Sequence, residues 1–96
     1  MKLEFHPEAE LELIEAALNY ELEVPGLSER FGAEVRRAID LLLDQPDLGH
    51  RIDPDLRQLV LRRFPFTLIY NASPEVLYVI SVAHDKRRPG YWRSRV

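Results

Sequence analysis

The chain has 96 residues, 46% of them hydrophobic and 30% charged, which suits one small globular domain and excludes two domains or wholesale disorder. The absence of cysteine excludes a disulfide framework, a thiolate metal site and a cysteine nucleophile. Thirteen Lys and Arg against sixteen Asp and Glu leave a net charge of −3, which taken alone argues against a nucleic-acid binder.

The opening Met-Lys-Leu-Glu-Phe-His-Pro lacks the apolar run of a signal peptide, and no stretch reaches the ~18 uninterrupted apolar residues of a membrane span. A cytoplasmic protein with no membrane partner is expected. Leu3 to His6 reads as a short strand, and Pro7 followed by acidic residues reads as a helix start. On a helical wheel Glu8, Glu12, Glu15, Asn19 and Glu23 fall in one narrow polar sector, taken as solvated. Leu11, Leu13, Ile14, Ala17, Leu18, Tyr20 and Leu22 cover most of the rest. So wide an apolar arc predicts that a flank of this helix packs on a second helix or a partner.

Val24-Pro25-Gly26 ends the first helix, Ser28 is the expected cap of a second, and Phe31, Val35, Ala38, Ile39 and Leu42 recur at helical spacing until Gln45-Pro46. Residues 46–55 read as an ordered loop. Strands are expected over Arg57 to Phe64, Phe66 to Asn71 and Val76 to His84, with Ala72-Ser73-Pro74 as a turn. In the last strand both alternating faces are mostly apolar, so it should be central and covered on both sides. Arg88-Pro89-Gly90-Tyr91-Trp92-Arg93 reads as the start of a short C-terminal helix. The order β-α-α-β-β-β makes a single α+β domain over residues 1–96, an antiparallel sheet with a helical hairpin on one face. The other face is left as a shallow concave surface.

Charge is divided along the chain. Residues 1–50 carry four basic against twelve acidic side chains, and residues 51–96 carry nine against four. The basic excess is sharpest after Asp85, where Lys86, Arg87, Arg88, Arg93 and Arg95 interleave with Tyr91 and Trp92. Such a cluster has three readings: a solvated tail, a phosphate-binding site with His84 for proton transfer, or a protein-binding anchor. Residue types alone do not choose among them. His6, His50 and His84 lack metal-ligand spacing, so neither metal nor cofactor is expected. Ser81 and His84 lie three apart on a strand and point to opposite faces, which excludes a hydrolase triad with Asp85.

Arg62-Arg63-Phe64-Pro65-Phe66-Thr67-Leu68-Ile69-Tyr70, then Val79-Ile80-Ser81-Val82-Ala83-His84, then Arg87-Arg88-Pro89-Gly90-Tyr91-Trp92 resemble the RelE/ParE superfamily of bacterial type II toxins, and among them the plasmid stabilisation proteins. The resemblance implies the toxin of a toxin–antitoxin pair, held by a cognate antitoxin as a homodimer or heterotetramer. RelE-type members cut messenger RNA on the ribosome with several Lys and Arg residues and a C-terminal tyrosine, whereas ParE-type members poison DNA gyrase. Laid against the nuclease pattern, Tyr91 falls at the tyrosine position, but Thr67 and Asp85 fall where arginines are expected, and Asp53-Pro54-Asp55 replaces a lysine-rich loop. The expectation is therefore a ParE-like growth inhibitor that binds a protein, DNA gyrase. A ribosome-dependent endoribonuclease using His84, Arg87 and Tyr91 is the alternative, and an inactive homologue that only binds antitoxin is another. Target- or antitoxin-binding residues are expected to be Arg63, Phe64, Arg87, Arg88, Tyr91, Trp92 and Arg95.

Overall fold

The computed structural model describes residues 1–96 throughout. Strand β1 (Lys2–Phe5) leads into helix α1 (Pro7–Glu23), which turns at Gly26 into helix α2 (Leu27–Asp44). A 3-10 turn (Pro46–Leu48) precedes β2 (His50–Asp53), β3 (Leu56–Val60), β4 (Phe66–Ala72) and β5 (Val76–His84), and a second 3-10 turn (Tyr91–Arg95) ends the chain. The five strands form one sheet in the order β1-β5-β4-β3-β2. The helical hairpin and the meander are as expected from the sequence, and no helix is long and apolar enough to cross a membrane.

Four local expectations are corrected. The sheet is mixed, because β1 pairs parallel with β5, the chain between them running through the α-hairpin to the far edge and back through β2, β3 and β4. The expected loop at 46–55 contains a strand: Asp53 accepts the Asp55 amide at 3.0 Å, an Asx turn that folds β2 back onto β3. The strand expected over Arg57 to Phe64 stops at Val60, since Arg63 takes a left-handed φ of 66°. Ser28 does not cap α2. Gly26, at φ 90°, holds that position, and the Glu21 carboxylate receives the amides of Gly26 and Ser28.

The main core lies between the helices and the sheet, with Ala9 and Ala16 of α1 and Phe31, Val35, Ala38 and Leu42 of α2 against β4 and β5. Alanine at positions 9 and 16 lets α1 lie close on β5. A second, smaller cluster on the opposite sheet face joins Leu56, Ile69, Ile80 and Ala83 to Trp92. The tail therefore covers much of the surface expected to be open. β5 is buried on both faces, as expected. Its alternation, however, reverses midway: Leu77 and Val79 face the helices, but so does Val82, while Ile80 and Ala83 face the tail. The cause is a bulge, because Ile69 pairs with Ser81 and Tyr70 with Val79, leaving Ile80 without an opposite residue.

Candidate functional site

The bulge creates the centre of the site. β1 ends at Phe5, opposite Val79, so β5 runs on past its parallel neighbour with backbone groups that need partners. Side chains supply them. Glu12 Oε1 accepts the Val82 amide at 3.0 Å, and Arg95 Nη1 donates to the Ile80 carbonyl at 3.0 Å. Arg95 also grips both oxygens of Glu12, at 2.9 and 3.0 Å, a bidentate pair joining the first helix to the last turn. Both side chains are largely buried, 13% exposed for Glu12 and 7% for Arg95. The Tyr91 hydroxyl donates to Glu12 Oε2. The Ser81 hydroxyl lies 3.0 Å from Glu12 Oε1 and 2.8 Å from the Tyr91 hydroxyl.

The electrostatics follow. Burial alone would raise the Glu12 carboxyl, but hydrogen bonds from Arg95, Tyr91, the Val82 amide and Ser81 outweigh it and hold the group below its usual range. Tyr91 is pushed up, first by burial and then by its bond to Glu12. Arg95 is raised by the same carboxylate. Arg87 stacks on the Tyr91 ring, 3.6 Å from its centroid, and its guanidinium lies 3.6 Å from Glu12.

The solvated position expected for Glu12 is corrected, since its carboxylate lies under the returning tail, whereas Glu8, Glu15, Asn19 and Glu23 of the same sector are exposed as expected. Trp92 and Arg95, expected among the partner-binding residues, are spent on holding the tail, with Trp92 only 6% exposed. The outward groups of the C-terminal cluster are Lys86, Arg87, Arg88 and Arg93. Arg87 and Arg88 border a depression of about 290 Å³ that also includes Thr67, Asp85 and Tyr91. Thr67 and Asp85, the two positions lacking a nuclease arginine, are bonded to each other at 2.7 Å. His84 accepts the Lys86 amide through Nδ1 at 3.1 Å and packs edge-on against Phe66. His84, Arg87 and Tyr91 are thus brought together, but the phenol is already engaged. No group of three or more His, Asp or Glu side chains is placed to hold a metal ion.

Arg63 and Phe64 lie elsewhere, in a groove of about 980 Å³ between α2 and the β3–β4 loop. Arg30 and Arg37 of α2 line it too, along with Arg62. Sequence reasoning misses the α2 arginines. Their signal is the helical spacing of Arg30, Glu34 and Arg37, three and four residues apart on one face.

Residues 3–89 match the family described as the ParE toxin of the type II toxin-antitoxin system, parDE. The chain belongs to the ParE toxin family. Among solved structures, the chromosomal ParDE toxin–antitoxin system of P. aeruginosa is similar in fold to this ParE-family chain, with a TM-score of 0.74 at 17% identity over 88% of this chain and 95% of that one. The isolated E. coli RelE toxin gives 0.65 at 22% identity, covering 97% and 93%. An E. coli RelE variant in complex with a RelBc antitoxin peptide gives 0.62 at 22% identity, covering 97% and 92%. No individual curated protein matches the sequence.

Proposed function

We propose that this ParE-family chain is the toxin of a type II pair, neutralised by a cognate antitoxin, and that it acts by binding a protein target, DNA gyrase, rather than by cutting RNA. The observation that carries the second half is the Glu12–Tyr91–Arg95 network. A tyrosine that already donates to a buried carboxylate, with its own ionisation pushed up, is a poor proton acceptor. Asp85, bonded to Thr67, places negative charge where a transferring phosphate would sit. Within this reading Arg87 and Arg88 are the outward contacts of the C-terminal cluster, while Trp92 and Arg95 hold the surface that presents them.

The test is induction of the chain alone in a bacterium, together with a supercoiling assay on purified gyrase. Double-strand breaks, an SOS response and inhibited supercoiling are expected. Transcripts trimmed only in translating cells would overturn the proposal in favour of the endoribonuclease. Arg87→Ala/Arg88→Ala is expected to reduce toxicity while the fold persists, because both side chains are exposed. Trp92→Ala is a poor probe, since emptying that buried site costs roughly 3–5 kcal/mol of stability by itself.

A further inference from the structure

We propose that the groove between α2 and the β3–β4 loop is a docking site for an acidic peptide segment carrying apolar side chains. The groove is built as well as charged. Arg30, Arg37, Arg62 and Arg63 line it with Glu34 as the one carboxylate, a formal +3 on a chain whose total is −3. Glu34 is used internally: it accepts Arg37 at 2.7 and 2.9 Å and also takes the Arg62 amide. That contact ties the loop to α2 and leaves Arg30, Arg62 and Arg63 exposed without an ion pair; Arg36, Arg51 and Arg88 are exposed and unpaired too, but only the first three share one groove. Arg63 is also the one non-glycine residue with positive φ. A long side chain held in that conformation, with no internal partner to justify it, suggests a ligand contact.

The lining selects the ligand class. Tyr20, Leu27, Phe64 and Pro65 provide apolar surface beside the arginines, which suits carboxylates alternating with leucine-like side chains. Nucleic acid fits less well. The Tyr20 and Phe64 rings are packed on each other at 5.2 Å, and Phe64 on Phe31 at 5.3 Å, so they are not free platforms for bases. A long polyanion would also meet the acidic side chains of the two helices. This proposal concerns a binding surface and does not depend on toxicity or on gyrase.

The experiment is fluorescence anisotropy on the full chain with two probes, a short labelled peptide of repeated Asp-Glu-Leu units and a labelled single-stranded DNA of matched charge. The peptide is expected to bind more tightly, with affinity falling as salt rises. Arg62→Glu/Arg63→Glu should weaken it about 100-fold, because two charge-assisted hydrogen bonds to the peptide would no longer form. Arg63→Gly should weaken it about tenfold while leaving the melting temperature unchanged or raised, because glycine relieves the left-handed backbone. Arg51→Ala/Lys86→Ala, outside the groove, should change it by less than about twofold. Absence of peptide binding, DNA binding as tight as or tighter than the peptide, or peptide binding indifferent to the groove variants would each overturn the proposal.

Discussion

At the scale of single residues, Glu12 carries more of this structure than any other charged side chain. It accepts from a guanidinium, a phenol, a serine hydroxyl and a backbone amide, so its removal leaves the buried Arg95 with only the exposed Glu8, at 3.7 Å, as counter-charge. Breaking one side of such a pair typically costs about 3–5 kcal/mol, and in a domain of this size Glu12→Ala should lower the melting midpoint by roughly 12–40 °C. The pH dependence has a definite sign. The folded carboxyl titrates below its ordinary value of 4.5, so its contribution is fully present above that value and fades as pH falls through the lowered folded one. Urea unfolding of wild type and Glu12→Gln at several pH values should show the stability gap narrowing as the solution is acidified below about the ordinary glutamate pKa. A gap independent of pH would mean that the charge of Glu12 is not what matters. The helical wheel places Glu12 correctly on its helix. What a wheel cannot contain is a contact with Arg95, at the far end of the chain, so a solvated sector is the natural local reading, which holds for Glu15, Asn19 and Glu23 and which the tail overturns for Glu12.

At the scale of elements, the helical hairpin, the meander and the buried β5 are legible because each is written in local terms: Pro7 and Pro46 as boundaries, period 3.6 in α2, period 2 in the strands. The bulge is not legible. Nothing local distinguishes Ile80-Ser81 from ordinary alternation, and the reversal is decided by pairing with β4 and by the partners waiting in α1 and the tail. Helix α1 is half legible. Its wide apolar arc does bury one flank, Leu13, Ala17 and Tyr20 packing on the core beside Ala9 and Ala16, but Leu11, Ile14, Leu18 and Leu22 remain 47–84% exposed in a single stripe. An antitoxin segment presenting an amphipathic helix would find its apolar complement there. Leu18→Glu is therefore expected to weaken capture of the toxin by its cognate antitoxin at least about tenfold in a titration, with the melting temperature of the free chain nearly unchanged. If affinity is unaltered, the stripe lies outside the antitoxin interface.

At the scale of the whole molecule, the division of charge along the sequence becomes a means of closing the fold. The acidic first half and basic second half are not merely two solvated layers, because Glu8 and Glu12 of α1 pair with Arg87 and Arg95 of the tail, while Asp53 on β2 holds Arg93 at 3.3 Å. The last turn is thus pinned from both sides of the sheet, with Trp92 seated between on Ile69 and Ile80. A net charge of −3 hides this arrangement, since the charges that balance are the ones that meet. A decisive consequence concerns a chain ending at Gly90. Such a chain would lose the Trp92 burial, worth roughly 3–5 kcal/mol, and would leave Glu12 partly buried without its arginine, a further penalty of about 3–5 kcal/mol. Together these approach the whole stability of a small domain, about 5–15 kcal/mol. The truncated chain is expected to show no cooperative thermal transition and to bind a hydrophobic dye through the uncovered Ile69 and Ile80. Adding Glu12→Leu should restore part of the transition, because it removes the stranded carboxylate but not the missing tryptophan. Full-length-like melting of the truncated chain would show instead that the sheet and helices close without the tail, and that the Glu12 network serves only to orient Arg87 and Tyr91.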